Sequence, residues 1–183
     1  MGYQLVLYVH LCALFAAFSA STLLHFIEAR ECAAAGMAEV RDWHARLKNL
    51  VKVFPVAMIT LLASGVYLVH AMWSWRMGWV QAGVLGLVLL IVNGPIIAGG
   101  RHRRIERYLE GAGDGAVTPE LAAMLRDPVM RAATWANTAL ALGIALAMTL
   151  KTGQIASIAI LLGAMLAGVA LSAMRRPPPA RAG

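Results

Sequence analysis

Five apolar stretches dominate this 183-residue chain: Leu5–Ile27, Val53–Met72, Trp79–Ala98, Thr134–Leu150 and Ile155–Met174. Each is close to the roughly 20 residues that a helix needs to cross a bilayer core. The expected fold is therefore all-α: a polytopic membrane protein built as a bundle of five transmembrane helices.

The basic residues give such a bundle a direction. The segment before the first stretch has no Lys or Arg. The segment after it has Arg30, Arg41, Arg46, Lys48 and Lys52, and the next has only Arg76. Arg101, Arg103, Arg104, Arg107, Arg126 and Arg131 follow the third stretch, and only Lys151 follows the fourth. The tail has Arg175, Arg176 and Arg181. Basic loops stay on the cytoplasmic side. The expected topology thus has the N-terminus outside and the C-terminus cytoplasmic. Aromatic residues agree with it: Tyr3, Tyr8, Tyr67, Trp73, Trp75 and Trp79 fall near the outer boundary, and Trp43, Tyr108 and Trp135 near the inner one.

Charged residues are 14% of the chain, against about 25% in soluble domains. Little remains outside the membrane, so residues 1–176 are expected to form one transmembrane domain, with 177–183 a disordered tail after Pro177-Pro178-Pro179. The net charge of +7 lies in the loops and tail assigned to the cytoplasm, where it meets anionic lipid headgroups, and no nucleic-acid partner is expected. The first stretch is read as a retained helix, because no basic segment precedes it and it is longer than a signal-peptide core.

Local signals refine the loops. Glu28 to Lys52 reads as helical extensions of the first two spans, interrupted near Gly36. Residues 73–78 read as a short hairpin, and 101–110 as a continuation of the third helix. Gly111 to Gly115 reads as a flexible linker. Thr118-Pro119 and Asp127-Pro128 each offer an N-cap followed by an N1 proline. Lys151 to Gln154 is so short that the last two spans must be an antiparallel pair. Asn93-Gly94-Pro95 should kink the third helix, and Asn93 can reach Asn137. Small residues recur every fourth position at Ala13, Ala17, Ser21; at Ala139, Gly143, Ala147; and at Ala159, Gly163, Ala167. Such stripes let helices approach closely, within the bundle or against other membrane subunits.

No carboxylate or basic side chain lies deep in a span, which speaks against proton-coupled transport. No Walker, Rossmann, CxxC or HExxH motif is present, and a soluble-type enzyme site is not expected. The histidines remain. His10 and His70 are both placed near the outer boundary, matched in depth. Imidazole is a common axial ligand of haem iron, so the pair can hold a b-type haem. His25 is about 22 Å further along the first helix and about 60° around from His10, so both can face inward. His25 and His102 suggest a second, inner pair, although His102 sits in an Arg-rich run that can simply face water. Copper competes for the outer site, with His10, His70, Met148 and Cys12 as soft and imidazole donors. Otherwise Cys12 is a small buried hydrophobe, too far from Cys32 for a disulfide.

Tyr8-Val9-His10, the run from Phe54-Pro55-Val56 to Leu61-Leu62-Ala63-Ser64-Gly65, and Ala147-Met148-Thr149-Leu150-Lys151 together resemble a superfamily of small bacterial integral membrane proteins. That group includes CopD-like copper-resistance proteins and HemJ-type protoporphyrinogen oxidases, and the likeness covers roughly residues 3 to 155, closest to an uncharacterised branch. The resemblance implies a bacterial inner-membrane location and a haem- or porphyrin-associated role for His10. The chain lacks the lysine that HemJ-type enzymes have near the start of the third helix, and it adds a fifth helix. The functional expectations are a b-type haem-binding or redox-associated protein, a non-catalytic accessory subunit of a larger complex, or a copper transport or tolerance protein.

Overall fold

The computed structural model describes residues 1–94 and 99–175, and these form eight helices. They are α1 (Gly2–Ala33), α2 (Met37–Leu50), α3 (Val53–Met72), α4 (Gly78–Asn93), α5 (Gly99–Gly111), α6 (Pro119–Leu125), α7 (Pro128–Leu150) and α8 (Gln154–Met174). The described residues contain no strand, only an isolated antiparallel bridge between Gly36 and Ala116. Four helical segments are long and apolar enough to cross a membrane: Gly2–Ala33, Met37–Met72, Pro119–Leu150 and Gln154–Met174. The helix at the third expected span, α4, is a shorter apolar helix of 16 residues. The last part of that expected span lies outside the described residues. So do Pro95 of the expected kink and the expected tail.

The helix ends obey the local rules. Thr118 Oγ1 accepts the Leu121 amide at 3.2 Å, and Asp127 Oδ1 accepts the Val129 amide at 2.8 Å. Each cap precedes a proline whose missing N–H costs the helix nothing there. The second cap starts α7 six residues before the apolar stretch begins, because the helix continues into its polar approach. At 32 residues, α1 is about 48 Å long, well beyond a bilayer core, so its last turns stand clear of the apolar span.

The apolar helices pack in two groups. In one, α1 lies against α3 with Ala13, Ala17 and Ala20 buried on its inner side. In the other, α7 and α8 form the expected antiparallel pair and α4 fills the groove between them. Small residues make that approach possible. A Cβ at Gly168 would lie 2.6 Å from the Trp135 carbonyl oxygen, and one at Gly86 2.6 Å from Ile144. At the loop end, a Cβ at Gly78 would sit 2.1 Å from the Gln154 nitrogen, so the two short hairpins are in backbone contact. Lys151, in the left-handed conformation at φ 51°, closes α7 and lays its ammonium 4.1 Å from the Trp73 ring centroid.

A third unit sits beside the apolar helices. Ala34, Met37, Val40, Ile105, Leu109 and Leu121 form a small core shared by the end of α1 with α2, α5 and α6. The glycine-rich segment after α5 is tied to this unit rather than loose. The Arg41 guanidinium reaches Asp114 and the carbonyls of Leu109, Ala112 and Gly113, and the Met37 amide donates to Gly115 O at 2.9 Å.

Gly168→Ala is expected to destabilise the protein by roughly 1–3 kcal/mol, because its new methyl meets fixed backbone. At Gly163 nothing lies within 4 Å of a Cβ, so Gly163→Ala is expected to be neutral or mildly stabilising. Thermal melts of the two variants in one detergent check the contrast.

Candidate functional site

One face of α1 carries a row of polar residues. His10, Ser21, His25, Glu28 and Glu31 follow one another at helical spacing, and each finds a partner on another helix. At the first level, His10 Nδ1 lies 2.8 Å from Ser64 Oγ of α3. The Ser64 hydroxyl itself points to the carbonyls of Thr60 and Leu61. A carbonyl only accepts and serine has a single hydrogen, so His10 must donate through Nδ1–H. The His10 Nε2 then carries the lone pair. Gly65 makes room for the ring, which passes 3.6 Å from where a Cβ would stand.

The depth match of His10 with His70 is not realised as a pair. The His10 ring lies against Ser64 and Gly65 of α3. His70 is six residues further, about 9 Å along α3 and about 120° around it. It is exposed and packs on Trp75, with ring centroids 5.7 Å apart. The outer ends of the first two apolar stretches are not level, because the packing of α1 on α3 sets His10 against Ser64 and Gly65 instead.

The other expected donors also separate. Cys12 is exposed on α1 rather than buried, and both cysteines are free. Met148 packs over Gly83 in the cluster of α4, α7 and α8. The four copper candidates therefore do not converge: His10 faces Ser64 of α3, Cys12 lines the open groove on another side of α1, His70 is exposed beside Trp75, and Met148 lies among α4, α7 and α8.

At the second level, His25 Nε2 lies 2.9 Å and Ser21 Oγ 2.7 Å from Thr138 Oγ1 of α7. The Thr138 hydrogen is directed to Thr134 O at 3.0 Å, so the imidazole and the serine both donate to it. The His25 ring stacks at 4.3 Å on Trp135, whose other neighbour is the Arg175 guanidinium. Nearby, the Asn93 amide donates to Asn137 at 2.8 Å, as expected, and links α4 to α7. His25 is joined to Thr138, not to His102.

The third level gathers more charge than the sequence suggested. Glu31 is 5% exposed and accepts from His44 Nδ1 at 2.9 Å. His102 does not simply face water: its ring lies 6.0 Å from that of His44, edge to face. Burial, then the neighbouring His44 and Arg101, push the His102 imidazole down to about 4. Glu28 meets Thr134 of α7 at 3.2 Å, and Arg101 pairs with Asp127. Arg126 donates to Cys32 O at 3.2 Å. The cluster joins α1, α2, α5, the loop before α7, and α7. Its signal in the sequence was weak: Glu31 and His44 are separated by a helix break, and the spacing rules of a single helix do not connect them.

Two outcomes follow. Removing one partner of the buried pair, as in His44→Ala, leaves the Glu31 carboxylate without its donor and is expected to cost roughly 3–5 kcal/mol, read by chemical or thermal unfolding. His102 has a folded value below its unfolded one, so only the unfolded chain gains that proton as pH falls from about 6.5 toward 4. Stability is therefore lost over that window, and melts at pH 7.5 and 5 are expected to differ less in His102→Gln than in the parent.

Comparison with family models, with curated proteins and with solved structures finds no match to the chain, so its functional reading rests on these residues themselves.

Proposed function

We propose that this is a bacterial inner-membrane protein with five crossings, N-terminus outside and C-terminus cytoplasmic, that binds a b-type haem or serves a redox step through His10. The alternation of basic segments supports the orientation, and the apolar sequence Trp79–Ala98 supports a crossing beyond the four long helices. The observation that carries the reading is the committed Ser64 hydroxyl. It sets the His10 tautomer and leaves Nε2 as a free imidazole donor inside an apolar helix pair. Metal-ligating histidines are oriented in this way, by a partner on the other ring nitrogen. A bound haem would supply one-electron chemistry. The chain's own contribution is the oriented imidazole and the exclusion of water by α1 and α3. With His70 turned to Trp75, His10 is the one protein ligand assigned, and no catalytic residue is.

Absorbance spectra of protein purified in mild detergent, with haem supplied during expression, test this. A Soret band that sharpens its α band on dithionite reduction is expected in the parent and in His70→Ala, and is expected to vanish in His10→Ala. Ser64→Ala is expected to keep the band and weaken haem affinity by roughly 10–100-fold. A featureless parent spectrum, or a band that survives His10→Ala, defeats the reading.

A second reading, an accessory subunit of a larger membrane complex, is favoured by one feature. Ala159, Gly163 and Ala167 lie on the exposed side of α8, with nothing within 4 Å of a Cβ at Gly163. The other two small-residue stripes are used inside the molecule. In this reading Gly163→Leu shrinks the assembly extracted from native membranes, and an unchanged assembly size rules it out.

A further inference from the structure

We infer that the groove between α1 and α3 is a binding site for one acyl chain of an anionic phospholipid, with the headgroup phosphate held at Lys52. The inference rests on the membrane reading but not on haem or on orientation.

The groove, about 490 Å³, is walled by Val9, Cys12 and Ala16 of α1 and by Val53 and Val56 of α3. From Lys52 to Thr60 it runs about 12 Å along the helix axis. It exists because α1 presents Ala13 and Ala16 where larger residues would close it, opposite Ala57. The one hydroxyl in its wall, Thr60, donates back to Val56 O at 2.8 Å. Hydrocarbon is thus the chemistry its walls accept.

Its end is different. Among the described residues, three of the other basic side chains between the first two apolar stretches have a carboxylate: Arg41 has Asp114, Arg46 has Asp42, and Lys48 has Glu106, while Arg30 lies over the Phe26 ring. Lys52 has none, and its ammonium donates only to the neutral Asn49 side chain at 2.9 Å. An unneutralised ammonium at the boundary end of an apolar slot complements a lipid whose phosphate carries a net charge. A zwitterionic headgroup brings its own cation to the same place.

Native mass spectrometry of the full chain in mild detergent tests this, with phosphatidylglycerol and phosphatidylcholine of identical chains as probes. The first phosphatidylglycerol adduct is expected to exceed the phosphatidylcholine adduct by about fivefold, the contribution of one lysine near an anionic group. Lys52→Ala is expected to make the two lipids equal, whereas Lys48→Ala keeps the preference. Ala16 is exposed, so Ala16→Phe is expected to fill the groove and remove the first adduct of both lipids without unfolding the chain, as circular dichroism reports. Equal binding by the parent, a preference that survives Lys52→Ala, or an adduct that survives Ala16→Phe each overturns the inference. A chain that does not partition into membranes at all would defeat the membrane reading instead.

Discussion

A polar side chain inside a pack of apolar helices has no water to turn to, and it must be satisfied by another helix or by its own backbone. That constraint selects the neighbours in this structure. Apolar contact alone is nearly indifferent to which helix lies beside which. Ser64 opposite His10 fixes α3 against α1, Thr138 opposite Ser21 and His25 fixes α7 against α1, and Asn137 opposite Asn93 fixes α4 against α7. Of these contacts, Thr138 with Ser21 and His25 connects the two helix groups, the other two hold each group together, and the buried Glu31–His44 pair continues the polar face of α1 into the small core of α2, α5 and α6.

Close approach is the second requirement. Hydrogen bonds of this length need backbones near one another, and the alanines and glycines supply that. Ala13 and Ala17 bring α1 to α3, and Gly143 and Gly168 bring α7 to α8. A larger side chain at these positions forces the helices apart and breaks the polar contacts together with the packing. Stability and the orientation of His10 therefore depend on the same residues.

Much of this was legible in the sequence where the signal is local. Thr118-Pro119 and Asp127-Pro128 announce their helices because capping and proline geometry act within one turn. Residues 151–154 force the α7–α8 pair because so short a link permits nothing else. Asn93 and Asn137 were found because strong polar side chains are rare in such stretches. What failed depended on register between helices. His10 and His70 looked level only while the ends of the stretches were taken as level. The meeting of Glu31, His44 and His102 was not legible, because nothing in the spacing shows that α2 and α5 fold back onto the end of α1. Gly111 to Gly115 reads as a loose linker from composition, yet Arg41, some 70 residues earlier, holds it.

The central claim is the state of one imidazole, so the most direct measurement is nitrogen NMR of the ¹⁵N-histidine-labelled protein in detergent. The His10 resonances are assigned by their loss in His10→Gln. A protonated Nδ1 and an unprotonated Nε2 are expected, with Nδ1 responding when Ser64 is replaced by alanine. The opposite tautomer, or a His10 indifferent to Ser64, would contradict the claim.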